Sequence, residues 1–200
     1  MIVYTALIAD EDLPLEQVGK LFPFEHDKEG VDYIAFTNRK DLTSNFWDVR
    51  YIELKHSSPR MDARFYKLNP HILFPNHNIS IWMDSQCYFS FNPKDIITQY
   101  LIEEGADIAI HHHSDINSLN HEMYAQAFLY KNDDPKVILN QFMGYMESGF
   151  PVTQYDHFET GILLRKNTPI VKDFNELWWV EVKGKSLRDQ LSCPYVVWKI

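Results

Sequence analysis

Two hundred residues, 45% of them hydrophobic, are enough chain to bury one core, and a single domain over residues 1–200 is expected. Nineteen Lys and Arg against 28 Asp and Glu give a net charge of −9, which argues against nucleic acid as a partner, because phosphate backbones are bound by basic surfaces. Two cysteines, Cys87 and Cys193, imply no disulfide framework, and no apolar run approaches the roughly 20 residues that span a membrane, so a cytoplasmic setting is expected.

The opening MIVYTALIADEDLP has no basic flank and only a short apolar run before its acids. It reads as a first strand over residues 2–8 and not as a signal peptide. A second buried strand follows at residues 32–37 (DYIAFT), and residues 47–54 (WDVRYIEL) alternate as a more exposed third. Residues 57–59 supply a helix start, with Pro59 tolerated in a first turn, and residues 60–67 form a short helix stopped by Pro70. The run 79–83 (ISIWM) is another buried strand, ending at Asp84. Asn92 and Pro93 open a helix to Gly105, followed by a strand over 107–111. Amphipathic helices are expected at 119–130 and 135–148, the second closed by Gly149 and followed by Pro151. A strand at 160–164 and helices near 171–182 and 187–198 complete the chain. Strands alternating with helices predict an α/β fold with a mainly parallel central sheet flanked by helices.

In open α/β sheets, ligands bind beyond the carboxyl ends of the strands. That rule selects Thr5 and Ala6 at the first strand, Thr37 and Asn38 at the second, and Asp84, Ser85 and Gln86 at the central one. A carboxylate at Asp84 can coordinate a metal or orient a diphosphate; it can equally cap a turn. Arg60, Arg64 and Lys67 fall at steps of four and three on one helical face, which suits a diphosphate or an ordinary solvated face. Alternation allows at most two of His111, His112 and His113 to share a side, and His113, at the strand end, is the one expected to face a pocket. With Asp115, His121 and Glu122 these histidines also suggest a zinc or manganese site, although no cysteine pair or HExxH spacing accompanies them. Ser186 is a candidate cap for the final helix. Asp189 then sits in its first turn, where it can accept a proton from a hydroxyl or serve only as a helix-start acid.

DYIAFTN, PRMDARFYKLNPHILFP, SIWMDSQ, His113 with Glu122 nine positions on, QFMGYMESGFP, ETGILLRKN, FNELWW and SLRDQLS occur in that order. Together they resemble a glycosyltransferase-like domain family with the type A (GT-A) fold, over roughly residues 31–198. The family occurs in plant hexosyltransferase-like proteins and bacterial polysaccharide loci, and a chlorella-virus glycosyltransferase looks related. The resemblance implies a nucleotide-diphospho-sugar fold that moves a sugar from a donor, UDP-linked, to a glycan, lipid-linked glycan or other hydroxyl acceptor. Thr5, Ala6 and Thr37 would contact base and ribose, while Arg64 and Lys67 approach the diphosphate. Asp84 would match the first acid of the metal-holding DxD motif, with Mn or Mg as the ion. Gln86 replaces the third-position acid, which weakens divalent binding. Ile116 also departs, where the family tends to carry an arginine. Glu159, His113 and Arg188 would lie on the acceptor side, with Asp189 the candidate base. Two other readings are a non-catalytic nucleotide or sugar binder of the same fold, and a metal hydrolase built on His111, His113 and Glu122.

Overall fold

The computed structural model describes residues 1–10, 12–23, 28–87, 90, 92–131, 133–154 and 156–200. In chain order come β1 (Ile2–Leu7), α1 (Leu15–Val18), β2 (Asp32–Thr37), β3 (Asp48–Tyr51), α2 (Pro59–Leu68), α3 (Pro70–Leu73) and β4 (Ile79–Met83). Then follow α4 (Pro93–Ile97), passing into a π-helix (Thr98–Glu103), and β5 (Ile108–His112). Next are α5 (Leu119–Tyr124), passing into a second π-helix (Ala125–Tyr130), and α6 (Pro135–Glu147). The chain closes with β6 (Phe158–Lys166), α7 (Pro169–Gly184) and α8 (Asp189–Lys199).

Among the described residues six strands form one sheet in the order β3-β2-β1-β4-β6-β5. The expected mainly parallel sheet is corrected here: β3, β2, β1 and β4 pair in parallel, but β6 runs antiparallel to β4, with Met83 opposite Ile162 and Ser80 opposite Arg165. The sheet is therefore mixed. The fold is α/β with helices flanking this sheet. Among the described residues no helix is long and apolar enough to cross a membrane.

Two compact units divide the chain, residues 1–109 with 161–172, and residues 110–160 with 173–200. In the first, strand alternation sorts side chains onto two faces. Val3, Tyr33, Ala35, Ile81 and Met83 pack with Ile97 and Leu101 from α4 and its π-helical extension. The other face carries rings: Tyr4 lies edge-on to Phe74 at 5.0 Å and to Trp82 at 5.2 Å, and Phe36 meets Tyr66 of α2 at 4.3 Å. The Ser58 side chain accepts the Met61 N–H and Pro59 occupies the first turn, so α2 starts where its cap dictates.

In the second unit Leu119, Ala127, Ile138, Tyr145, Phe150, Val152 and Leu191 form a separate core, with Tyr145 stacked on Tyr195 at 4.0 Å. Gly149 takes φ of 86° just past α6, where the Phe150 N–H reaches the Tyr145 carbonyl at 3.0 Å. This left-handed close is the stop that its glycine predicts. The final helix begins two residues later than expected. Arg188, not Ser186, is its N-cap, and the Ser186 hydroxyl instead donates to Asp133 at 2.8 Å while accepting the Arg188 N–H.

Candidate functional site

In the first unit, Thr5 and Ala6 lie within β1 and not beyond it, because Leu7 still pairs with Thr37. Both are buried, and the Thr5 hydroxyl has no hydrogen-bond partner. Thr37 is the last residue of β2, and its hydroxyl accepts the Arg39 N–H at 3.1 Å. Asn38 follows directly and clamps the exit of β1, donating to the Ala9 carbonyl at 2.8 Å and accepting the Ala9 N–H at 3.2 Å. A side chain that spends both ends on backbone orders the loop; it has little left for a ligand.

Asp84 follows β4 immediately, and its N–H continues the ladder to the Gly161 carbonyl at 2.7 Å. The period of two puts Trp82 and Asp84 on the same face, the one that α2 covers. The Trp82 indole N–H accordingly donates to Asp84 Oδ1 at 2.8 Å. Lys67, in the last turn of α2, brings Nζ to the same oxygen at 3.4 Å. The Lys67 side chain is 1% exposed and that of Asp84 30%, so the ammonium lies beneath a carboxylate that still reaches solvent. Below it, the Arg165 guanidinium, itself buried, donates to the Lys67 carbonyl at 2.9 Å and to the Tyr4 hydroxyl at 2.5 Å. Tyr4 also donates to the Lys67 carbonyl at 3.1 Å, and burial pushes this phenol up to about 12 against the opposing Arg165 charge.

Arg60 and Arg64 stay half-buried on α2, whereas Lys67 has turned inward. Asp62 on the same helix is buried and accepts the Lys55 and His56 N–H groups and His56 Nδ1, so it anchors the loop before α2. Ser85 is half-buried and Gln86 exposed. A cavity of about 780 Å³ in this unit is lined by Asp32, Tyr33, Trp47, Asp48 and His77, at the amino ends of β2 and β3. None of the predicted donor residues lines it, and the open-sheet rule favours the carboxyl ends.

In the second unit, Asp189 opens α8 and is 1% exposed. The Thr160 hydroxyl donates to its Oδ2 at 2.8 Å, and the Trp178 indole N–H donates to its carbonyl at 3.1 Å. His111 and His113 approach Glu159 through Nδ1 at 3.6 and 3.8 Å, while His112 turns to Asp156 at 3.4 Å, the alternation expected of a strand. His113 Nδ1 accepts the N–H groups of Asp115 and Ile116 at 3.1 and 3.0 Å.

Glu122 is fully buried; Oε1 accepts Arg188 Nε at 2.8 Å and Gln126 Nε2 at 3.0 Å. Arg188 is thus tethered by a carboxylate that the metal-hydrolase reading needs as a ligand. Among the described residues no three of His, Cys, Asp and Glu are grouped to hold a metal ion. Glu122 Oε2 has no hydrogen-bond partner and lies 3.9 Å from His157 Nε2, and neither His157 ring nitrogen has a hydrogen-bond partner. Burial first, then the charges of His113, Arg188 and His112, pushes His157 down to about 3. Sequence reasoning missed Trp82, Thr160 and His157. Only Trp82 had a signal, its position two before Asp84 in a strand.

The first unit thus presents a strand-end acid, Asp84, on an α/β sheet, with Lys67 of the covering helix α2 against it. The chain belongs to the TOD1/MUCI70 family of glycosyltransferase-like domains, whose model matches residues 28–200. It is 29% identical over 169 residues, 77% of its length, to the Arabidopsis thaliana protein named probable hexosyltransferase MUCI70. It is 25% identical over 173 residues, 82% of its length, to alkaline ceramidase TOD1 of the same plant. These matches cover 28% and 37% of the two relatives, so the chain spans well under half of either.

Proposed function

We propose that this chain transfers a sugar from a UDP-linked donor to a hydroxyl of a glycan or other acceptor. The carrying observation is Asp84 at the end of β4, its Oδ1 held by Trp82 and Lys67 and its side chain 30% exposed. In this reading the sugar C1–O bond to the β-phosphate breaks, and charge develops on the departing diphosphate. Cations near the carboxyl ends of the strands stabilise it, with Arg60 and Arg64 on α2 the half-buried pair and Lys67 behind them. The base and ribose take the region of Thr37, beside the loop that Asn38 orders, and the sugar takes Ser85 and Gln86.

On the acceptor side the reading assigns Glu159, His113 and Arg188 to the incoming glycan and Asp189 to its hydroxyl proton. Burial keeps water from Asp189, so the acceptor hydroxyl must displace the Thr160 contact to reach it. A second reading, a binder without turnover, draws support from that same burial. Thermal shift with UDP, GDP and ADP sugars, followed by detection of released nucleotide, separates the two. The expected result is a rise in Tm with UDP sugars, donor turnover, and loss of turnover in Asp84→Asn. Stabilisation without turnover supports the binder. No stabilisation by any nucleotide, together with ceramide hydrolysis, would replace the transferase by the reaction in the TOD1 relative's name.

A further inference from the structure

A type A fold implies a divalent ion on the donor diphosphate, held by paired acids, and the residues present do not fit one. The position two after Asp84 carries the exposed amide Gln86. Asp84 Oδ1 already accepts the Trp82 indole N–H at 2.8 Å. The same oxygen faces Lys67 Nζ at 3.4 Å, and this ammonium also lies 5.8 Å over the Trp82 ring. A hard cation needs several oxygen ligands of net negative charge. This site offers one carboxylate whose charge is balanced from below by a lysine that is 1% exposed. Arg165 adds a second buried cation to the same layer through the Lys67 carbonyl. Such a layer repels a divalent ion and attracts an anion.

Resting on the donor reading above, we propose that Lys67 is the resident counter-ion of Asp84, and that the site binds its nucleotide-sugar without a metal. Asp84 Oδ2, the oxygen facing Gly161, is left to accept a hydrogen bond from a donor hydroxyl. Gly161 leaves that approach open: a Cβ there would stand 3.7 Å from Oδ2 and 3.6 Å from Cys87 Sγ. Lys67 is a positioning residue in this account, acting through Asp84, and the diphosphate charge falls to cations on α2.

Calorimetric titration with UDP, in chelator and in manganese, tests the proposal. The unaltered protein is expected to bind with affinities equal within about threefold in the two buffers, less than the 1.4 kcal/mol of a tenfold change. Lys67→Met leaves the Asp84 charge uncompensated, so UDP binding in chelator should weaken by about tenfold or more, and manganese should restore it. A structural role for Lys67 alone would give weakening without rescue. Manganese dependence in the unaltered protein, or a folded Lys67→Met variant indifferent to manganese, overturns the proposal. Should that variant fail to fold, the spin-resonance signal of free manganese decides on the unaltered protein with UDP. An undiminished signal upholds the proposal, and stoichiometric loss of signal overturns it. Absence of UDP binding in both buffers overturns the donor reading, and this inference with it.

Discussion

Replacing Lys67 by Met and Asp84 by Asn, singly and together, measures the pair at the centre of the site. At 3.4 Å the attraction is about 5 kcal/mol for an effective dielectric constant near 20. Removing one member of a buried pair costs ~3–5 kcal/mol, because the remaining charge stays desolvated. Asp84 is 30% exposed, so water screens part of that effect, and ~2 kcal/mol for each single variant is the reasoned figure. Asn keeps an oxygen for the Trp82 indole N–H, and Met keeps the packing of the lysine stem, so both changes act on the polar contacts of the pair and spare the surrounding packing. The double variant strands no charge and should also cost ~2 kcal/mol, where strict additivity would give ~4 kcal/mol. Urea denaturation of the four proteins at neutral pH, with a shared slope, supplies the comparison. A double variant that equals the sum of the singles within ~0.5 kcal/mol refutes the coupling, and with it the assignment of Lys67 as counter-ion.

His157 makes stability depend on acid. Its pKa lies at about 3 in the fold and near 6.5 in an unfolded chain, so the unfolded state binds the extra proton. The contribution is fully present above pH 6.5 and is lost as pH falls from there toward 3, at about 1.4 kcal/mol per pH unit. Urea midpoints at pH 7.5 and 5 should separate less in His157→Gln than in the unaltered protein; equal separation would contradict the assignment. Thr160→Val removes the 2.8 Å hydroxyl donor from a buried carboxylate and should cost ~1–3 kcal/mol. A melting temperature unchanged by that variant would mean that Asp189 is held by other groups.

The elements most legible in the sequence were those fixed locally. β1, β2 and β4 are apolar runs with no competing period, Ser58 and Pro59 mark the start of α2, and Gly149 closes α6. Strand direction was not legible. The middle of β6, residues 161–164 (GILL), is as apolar as a parallel strand, and only the pairing of Ile162 with Met83 reveals that β6 runs the other way. Strand-end geometry gave Asp84 its place, yet Thr5 and Ala6 are buried inside β1, as the strand expected over residues 2–8 already implied. The face shared by Arg60, Arg64 and Lys67 looked uniform in sequence. Tertiary packing split it, leaving two residues half-buried and drawing the third under Trp82 and Asp84. Thr160 and Asp189 are 29 residues apart, as are many pairs that never meet, so no spacing could announce their bond.

Two departures from a metal-holding pattern, Gln86 and the inward turn of Lys67, act on cation affinity in the same direction. A glutamine in place of the second acid removes one negative charge, and the buried ammonium neutralises the other. Either change alone would leave a mismatch: an acid pair above a lysine would hold surplus charge, and a lone Asp84 without Lys67 would repel a diphosphate. On the proposed reading they leave a carboxylate paired with Lys67 over a cationic layer that reaches Arg165 and the carboxyl-terminal turn of α2, where helix carbonyls favour positive charge. The anionic donor of the proposed function would then meet no net negative charge at Asp84. The restoring change Gln86→Asp, on an exposed residue, should on this logic weaken metal-free UDP binding while leaving the fold unchanged.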